Sequence, residues 1–196
     1  MKPVILLDAD GVIVDFVGSF LAIANGITGL NVQREEITQW DIFHAFPAKF
    51  HDDISKEMAR EGFCLNMQPL PGAIEAIGKL AEIGDVVIVT SPWSSKTWAW
   101  ERTEWLIRHA NFRTKEIIHA SAKQHVKGDI LIDDKYENLV AWKRANPEGA
   151  AILWHAPYNA AVAHDPHVWR AKTWDEVLAL VKAAIHHQPQ AAGATL

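Results

Sequence analysis

The sequence predicts an α/β fold, a parallel β-sheet with helices on both of its faces. Short, almost continuously apolar runs alternate along the chain with segments of helical periodicity, and this alternation is typical of parallel sheets whose two faces are covered. Several of the apolar runs end on aspartates or hydroxyl residues, at the edge where parallel sheets bind their ligands. A chain of 196 residues that is 49% hydrophobic is also long enough to bury a core.

Five strands and four helices are expected outside one long insertion. The predicted strands are residues 4–8, 85–90, 116–120, 129–133 and 150–154. The predicted helices are residues 72–83, 96–111, 138–145 and 174–186. The apolar runs have the length and the flanking turn residues of strands, whereas the other segments repeat apolar residues at helical spacing.

The stretch between the first two strands breaks the alternation. It contains helical patterns at residues 15–25, 34–46 and 47–62 and no convincing strand. Because it is too long for a simple crossover, we expect a small helical cap, residues 15–68, inserted into a core made of residues 1–14 and 69–187. Pro71 marks the return to the core near the start of the next helix. The Gln/Ala/Gly-rich tail, residues 188–196, is expected to be flexible.

Charge and composition exclude several classes of protein. The formal net charge is −5, so the surface as a whole repels polyanions and a long nucleic-acid partner is not expected. Cys64 is the only cysteine, which excludes an intramolecular disulfide and a zinc–thiolate cluster. No apolar run approaches the length of a membrane span, and the first strand begins too early for a signal peptide. We therefore expect a soluble, cytoplasmic protein that does not contact a membrane.

Two aspartates at the end of the first strand are the strongest functional signal. Asp8 and Asp10 are two positions apart, so an extended chain places their side chains on the same side. Paired carboxylates are costly there unless a cation or a reaction uses them. Asp8 is a candidate nucleophile towards a phosphoryl group, and Asp10 a candidate acid/base. A helix N-cap or a calcium loop would also use such residues, but Val12 occupies the next ligand position of an EF-hand loop.

Two more pairs of polar residues end predicted strands. Thr90 and Ser91 end the second one, where hydroxyl and backbone N–H groups suit a phosphate oxygen, although such residues also form ordinary turns. Asp133 and Asp134 end another buried strand and offer oxygen ligands for Mg²⁺; the alternative is a solvated acidic loop. Lys123 is a candidate for neutralising charge on a phosphoryl group, although a lone lysine is ordinarily a surface residue.

Taken in this order, the motifs resemble those of haloacid dehalogenase (HAD) superfamily phosphatases. They are Asp8-x-Asp10-Gly11, Thr90-Ser91, Lys123 and Asp133-Asp134. The chain also resembles the 5'(3')-deoxyribonucleotidase family. That resemblance is carried by residues 8–16, 69–73, 90–92, 128–134, 154–159 and Trp174. It covers the chain from about residue 3 to residue 183.

The resemblance implies a HAD-like, Rossmann-like fold and hydrolysis through an aspartyl-phosphate. It implies Asp8 as the nucleophile and Asp10 as the acid/base. It also implies Mg²⁺ as the cofactor, held by Asp8, by the backbone carbonyl of Asp10 and by the Asp133 carboxylate, with Asp134 in support. By the same resemblance the phosphate is held by Thr90, Ser91 and Lys123.

The implied substrates are small molecules, the deoxynucleoside monophosphates, with the choice between 5' and 3' phosphates left open. Phe16, Trp40 and Trp93 are the candidate residues for stacking against the nucleoside, and an apolar wall would favour deoxyribose. Two positions depart from the family pattern. Met58 stands where a base-facing tryptophan is expected, and Ser121 where a basic side chain is expected. Base preference is therefore left open, and so is oligomeric state, for which a homodimer is one arrangement.

Two other functions compete with this interpretation. One is the same chemistry on another small phosphomonoester, such as a ribonucleotide or a sugar phosphate. The other is a non-catalytic nucleotide-binding module that keeps the fold. Since binding alone needs no nucleophile, the presence of Asp8, Asp10 and Lys123 argues against the second alternative.

Overall fold

A computed structural model describes residues 2–187; the predicted flexible tail, residues 188–196, lies outside the described residues. Six strands, one more than predicted, form one sheet, and all its pairings are parallel as expected. They are β1 (Val4–Leu7), β2 (Asp85–Thr90), β3 (Ile117–His119), β4 (Ile130–Asp133), β5 (Ala150–Trp154) and β6 (Val168–Ala171). Their order across the sheet is β3-β2-β1-β4-β5-β6. The strand that carries Asp8 is therefore central, with β2 and β4 on either side of it.

Six helices complete the described chain. They are α1 (Phe16–Thr28), α2 (His51–Met58), α3 (Ala73–Ile83), α4 (Trp98–Ala110), α5 (Tyr136–Ala145) and α6 (Trp174–His187). The four helices predicted outside the insertion are all present, with bounds that differ from the prediction by no more than two residues.

Alternate residues of the central strands point to opposite faces of the sheet, and each face has its own core. Ile5 and Leu7 pack in one cluster with apolar residues of α3, α4 and α6. Leu6 packs in another with Leu139 and Trp142 of α5. Helices therefore cover both faces, and this explains why the strands are apolar throughout rather than alternating.

The sixth strand was not predicted. Val168-Trp169-Arg170-Ala171 contains an arginine and lies at the edge of the sheet, paired only with β5. An edge strand buries less of its surface than a central one, so its sequence need not be continuously apolar. The Arg170 guanidinium donates hydrogen bonds to the backbone carbonyls of Asn159 and Val162.

The insertion after β1 is mostly helical, but one of its predicted helical segments is wrong. Residues 34–46 form two short 3₁₀ turns, Arg34–Glu36 and Ile42–Ala45, and not a helix. The Asp41 side chain accepts the Phe43 N–H at 3.2 Å, which starts a local turn instead of continuing a helix. The third segment contains a 3₁₀ turn, Ala48–Phe50, before α2.

The inserted segment has its own apolar cluster, which includes Phe20, Ile54 and Met58. Its two connections to the sheet lie side by side, since Asp15 N–H donates to the Gln68 carbonyl and Leu70 N–H donates to the Ile13 carbonyl, both at 2.8 Å. These observations support the cap at residues 15–68, whose exact bounds stay a prediction.

Within residues 2–187 no helix combines the length and apolarity that a membrane crossing requires. The structure consists of a single chain, so the homodimer has no support from it.

Candidate active site

The carboxyl ends of β1, β2 and β4 meet at a cavity of about 540 Å³ that the inserted segment covers from the other side. The register places Leu7 beside both Ile88 and Ile132, so the residues that follow these strands are brought together. The predicted site residues that line the cavity are Asp8, Asp10, Phe16, Trp40, Thr90, Ser91, Trp93 and Asp134.

Asp8 lies at the base of the cavity and is almost fully buried. Its Oδ1 accepts the Ala9 N–H at 2.8 Å and lies 2.8 Å from Lys123 Nζ. No donor among the described residues reaches its other oxygen, Oδ2. Burial raises the pKa of the Asp8 carboxyl to about 7, against the attraction of Lys123. The site therefore holds one carboxylate oxygen in place and leaves the other free for chemistry.

Lys123 is buried and links Asp8 to Asp133. Its Nζ lies 2.7 Å from Asp133 Oδ2 and 2.8 Å from Asp8 Oδ1. Burial lowers the pKa of the ammonium, but the two carboxylates outweigh it, so the pKa lies above its ordinary value. The lysine comes from a 3₁₀ turn, Lys123–His125, between β3 and β4. It is a buried positive charge beside Asp8, which itself lines the cavity.

Asp133 and Asp134 have opposite surroundings although they are adjacent in sequence. Asp133 Oδ1 accepts the Lys135 N–H at 2.8 Å, and its Oδ2 accepts Asn138 Nδ2 at 3.1 Å in addition to Lys123. The Asp134 carboxylate receives one hydrogen bond from the described residues, from the Tyr158 hydroxyl to Oδ2, and its Oδ1 is buried without a partner among them. Only Asp134 therefore has an oxygen left for a ligand.

Asp8, Asp133 and Asp134 together fit a divalent cation. An oxygen of each lies within 4.8 Å of the others, all three residues are buried, and carboxylate oxygens are the donors that hard cations prefer. The unpartnered Asp134 Oδ1 supports the same conclusion, since a buried carboxylate oxygen is costly without a partner. Burial, with repulsion from Asp8, raises the pKa of Asp134 well above its ordinary value. Lys123 is the one cation paired with this cluster among the described residues, against three carboxyl groups, so a metal ion would supply further positive charge.

Gly11 allows Asp134 to approach the turn after β1. Its φ of +79° is in the left-handed region, and a Cβ at this position would overlap Asp134 Oδ2 and the Tyr158 hydroxyl. The glycine of the first motif is therefore required both by the backbone conformation and by close packing.

Asp10 is held differently from the other three aspartates. Its Oδ1 forms an ion pair with Nη2 of Arg102, a fully buried residue of α4. Burial raises the pKa of the Asp10 carboxyl, and Arg102 opposes this shift only in part. The carboxylate faces the same cavity as Asp8 without joining the cluster of Asp8, Asp133 and Asp134.

Of the three residues predicted to bind phosphate, Thr90 and Ser91 line the cavity, whereas Lys123 is buried behind Asp8 and is not among the lining residues. The Thr90 hydroxyl is buried and has no hydrogen-bond partner among the described residues, which suits a group that bonds to a ligand oxygen. Ser91 is exposed to the cavity, and its hydroxyl donates to the Ala120 carbonyl at 3.3 Å. Ser121, in the position expected to be basic, lines the cavity as well.

Aromatic side chains form the opposite wall. Phe16 lies 6.5 Å from Trp93 and 6.2 Å from Trp98, ring centre to ring centre. Trp40 packs edge-on against Tyr158 at 5.4 Å. Trp98, whose helical spacing from Trp105 predicts a core position, is indeed buried but also lines the cavity.

Met58 does not belong to the site. It is fully buried in the apolar cluster of the inserted segment and is not among the cavity-lining residues, so the residue that stands where a base-facing tryptophan is expected does not face the cavity. The apolar face of α2 turns Met58 and Ile54 inward, as helical spacing requires. Phe43, which stacks on Trp93 at 6.3 Å, lines the cavity instead.

Arg102, Asn138 and the separate role of Tyr158 were not predicted. Arg102 lies on α4, outside the motifs, and Asn138 lies in the first turn of α5, five residues after Asp133. Neither residue carries a local pattern that distinguishes it from a surface residue. Tyr158 lies within the segment 154–159 that carried the resemblance, and that was the available signal.

Comparison with known families and proteins shows the family and the fold of the chain. The family described as 5' nucleotidase, deoxy (pyrimidine), cytosolic type C matches residues 2–187. This chain belongs to that nucleotidase family. It is therefore a phosphoric monoester hydrolase, and the resemblance to deoxyribonucleotidases is confirmed.

Individual relatives agree with the family. A Bordetella pertussis protein provisionally named 5'(3')-deoxyribonucleotidase is 33% identical over 181 residues, covering 89% of this chain and 95% of its own length. A Staphylococcus aureus protein with the same provisional name is 29% identical over 175 residues, covering 88% and 92%. The nucleotidase also shares its fold with a HAD family hydrolase from Deinococcus radiodurans, solved with bound phosphate and sodium. That structure has a TM-score of 0.60 and 18% identity, and the match covers 96% of this chain and 99% of the hydrolase.

Proposed function

We propose that this nucleotidase is a Mg²⁺-dependent phosphatase that hydrolyses deoxynucleoside monophosphates through an aspartyl-phosphate on Asp8. The observation that carries the proposal is the free Oδ2 of a buried aspartate, at the base of a cavity with a fixed lysine and a second carboxylate beside it. The family to which the chain belongs supports the substrate class.

In the first step Asp8 Oδ2 attacks the phosphorus, and the bond from phosphorus to the sugar oxygen breaks. Asp10 donates a proton to that oxygen, so the deoxynucleoside leaves as a neutral alcohol. The raised pKa of Asp10 supports this role because it favours the protonated form before the reaction.

In the second step a water molecule attacks the phosphorus of the aspartyl-phosphate. Asp10, now ionised, accepts a proton from that water. The bond between phosphorus and Asp8 Oδ2 breaks, which releases phosphate and restores both carboxyl groups. Asp10 therefore acts first as acid and then as base.

The phosphoryl group would be held by groups that already lack partners or carry a fixed charge. Lys123 offers its ammonium beside Asp8, and the Thr90 hydroxyl is unpartnered in the described structure. Ser91 contributes a hydroxyl at the rim of the cavity. Such fixed donors stabilise the charge that spreads over the phosphoryl oxygens in the transition state.

Asp8, Asp134 and the backbone carbonyl of Asp10 would hold Mg²⁺. When bound, the ion neutralises charge on the phosphate and on the buried carboxylates. We assign Asp134 rather than Asp133 as the carboxylate ligand, because both oxygens of Asp133 already accept hydrogen bonds. Asp133 would then orient Lys123, which reverses the roles implied by the resemblance.

The aromatic wall would take the nucleoside. Phe16, Trp40 and Trp93 present rings to the cavity, and base stacking contributes roughly 1–3 kcal/mol with little preference among bases. A ribose 2'-hydroxyl against such a wall would lose its hydrogen bonds to water, so the deoxy sugar is favoured. A cytoplasmic location is part of the proposal, and the free, buried Cys64 is consistent with a reducing compartment.

A substrate panel tests the proposal. Phosphate release is measured from 5'- and 3'-monophosphates of deoxy- and ribonucleosides, with pyrimidine and purine bases, with and without Mg²⁺. We expect Mg²⁺-dependent release that is faster for deoxy than for ribo substrates. Asp8→Asn should lower the rate by about 10³-fold or more, since it removes the nucleophile.

Two outcomes would contradict the proposal in different ways. Faster release from sugar phosphates than from any nucleotide would favour the other small phosphomonoesters. Tight nucleotide binding without phosphate release, unchanged in Asp8→Asn, would favour a binding module.

A further inference from the structure

Arg102 is a fully buried cation that the chemistry above does not use. It lies one turn into α4, beneath the cavity, with none of its surface exposed. Its guanidinium carbon lies 5.7 Å from the centre of the Trp98 ring and 5.6 Å from that of Trp105. Its Nη2 also lies 3.2 Å from the Met67 sulfur. The side chain is therefore held between two indole rings and cannot reach solvent.

A buried guanidinium is costly unless its charge is paired. Within residues 2–187, Asp10 is the only carboxylate that forms an ion pair with Arg102. The Nε and Nη1 atoms are buried and have no partner in the described structure. Breaking a buried ion pair is expensive because it leaves one charge uncompensated. Arg102 is thus a buried cation with two unbonded nitrogens among the described residues, and its one ion pair there is with Asp10, the proposed acid/base.

We propose that Arg102 is a positioning residue for Asp10. It holds Asp10 Oδ1, so that Oδ2 is the oxygen left to exchange a proton with the leaving group. This inference rests on the proposed acid/base role of Asp10. Arginine suits such a task because its planar guanidinium stays charged and is fixed by the flanking indoles.

The position of Asp10 matters to different degrees for different leaving groups. A deoxynucleoside alkoxide is a strong base and needs a proton as it leaves, whereas p-nitrophenolate spreads its charge over its ring and leaves without one. Loss of a correctly placed acid should therefore slow the nucleotide much more than p-nitrophenyl phosphate. A general loss of packing would slow both substrates equally.

The experiment measures kcat/KM for a deoxynucleoside 5'-monophosphate and for p-nitrophenyl phosphate in the wild type, Arg102→Met and Arg102→Lys. This ratio reports the steps up to the first phosphoryl transfer, so hydrolysis of the aspartyl-phosphate does not obscure it. Arg102→Met should lose roughly 10²-fold on the nucleotide and only a small part of that on p-nitrophenyl phosphate. Arg102→Lys should restore part of the difference. Arg108→Met, which removes an exposed arginine of the same helix that pairs with Glu104, is the matched control and should change neither value.

Equal losses on the two substrates, or no loss, would overturn the inference. The proposed function is judged separately by the wild type, because its failure would appear as no release of phosphate from the nucleotide before any Arg102 variant is considered.

The melting temperatures of the variants test the inference in a second way. Arg102→Met leaves the Asp10 carboxylate buried and unpaired, whereas the double variant with Asp10→Asn removes both charges. We expect the double variant to melt at a higher temperature than Arg102→Met alone. If neither variant folds, Arg102 is required irrespective of Asp10 and the inference is wrong. If only the double variant folds, the substrate comparison is made with Arg102→Lys, and an unchanged ratio between the substrates would contradict the inference.

Discussion

At the scale of single residues, the four aspartates of the site differ through their partners. Asp8 is fixed by Lys123, Asp10 by Arg102 and Asp134 by Tyr158. Each of these three carboxylates keeps one oxygen for a different task, whereas both oxygens of Asp133 accept hydrogen bonds. The environment of each aspartate, rather than its type, assigns its role.

Tyr158→Phe tests the position of Asp134. The variant removes the hydroxyl that donates to Asp134 Oδ2 while keeping the ring that packs against Trp40. Removal of such an outer partner typically costs about 10–100-fold in metal affinity. We expect the Mg²⁺ concentration that gives half-maximal activity to rise by about that factor, and the increase in melting temperature on adding Mg²⁺ to shrink.

Tyr136→Phe is the matched control for that variant. Tyr136 is the other tyrosine of the chain, and its hydroxyl donates to Asp165 at 2.8 Å, away from the cavity. It should leave the Mg²⁺ requirement unchanged. Equal Mg²⁺ requirements in Tyr158→Phe and the wild type would exclude Tyr158 as a support of the metal site.

The sequence predicted the aspartates, Thr90 and Lys123 because the motifs follow strands and strands bring their ends together. It did not separate the roles of Asp133 and Asp134, since their difference depends on which carboxylate the side chains of Asn138 and Tyr158 reach. Asn138 is only five residues from Asp133, but its side-chain direction depends on the position of α5, and the long-range partner Tyr158 leaves no local pattern near Asp134.

At the scale of elements, α4 joins the site to the end of the inserted segment. Arg102 contacts Asp10, and the preceding residue, Glu101, is also buried. The Glu101 carboxylate accepts the Gly62 N–H and the Leu65 N–H, both at 3.0 Å. One helix therefore holds both the proposed acid/base and the chain segment that returns from the cap.

Glu101→Gln tests that attachment through its pH dependence. Burial alone would raise the pKa of Glu101, but hydrogen bonds from Thr97, Gly62 and Leu65 outweigh it and the pKa is lowered. A lowered pKa in the folded state stabilises the protein above the unfolded value of about 4.3, and this stability is lost as the pH falls through the folded value. We expect Glu101→Gln to unfold more easily at pH 7 by about 1–3 kcal/mol, and the gap to the wild type to close below about pH 4.

Denaturant unfolding at several pH values measures the difference in unfolding free energy between the wild type and Glu101→Gln. Glu104→Gln, in a half-buried residue of the same helix that pairs with Arg108 at 3.2 Å, is the control and should cost less than about 1 kcal/mol. A gap that stays constant from pH 7 to pH 3 would show that the charge of Glu101 plays no part.

Elements with strong periodicity were predicted well, and the failures have local causes. Strands β2 and β5 have the predicted bounds, since their apolar runs end sharply. The edge strand β6 and the 3₁₀ turns of residues 34–46 depend on a single neighbour or on one capping side chain. Periodicity does not encode such features.

At the scale of the whole molecule, the cavity is a junction between the sheet and the inserted segment. Phe16, Trp40 and Phe43 contribute to it from the inserted segment and contact Trp93, Trp98 and Tyr158 of the remainder. The carboxylates that line the cavity follow the strands of the sheet, whereas the aromatic wall is shared equally between the insertion and the remainder. In the proposed function, the reacting groups therefore come from the sheet and the substrate is selected by both parts of the chain.

The central claim is that Asp8 becomes phosphorylated, and trapping that species tests it most directly. The enzyme is mixed with a deoxynucleoside monophosphate and Mg²⁺, quenched during turnover and reduced with borohydride, which converts an acyl phosphate to an alcohol. Peptide mass spectrometry then locates the reduced residue. If Asp8 forms the aspartyl-phosphate, the reduced residue is Asp8, and its reduction requires the substrate. Phosphate release at the full rate without any modification of Asp8 would contradict it.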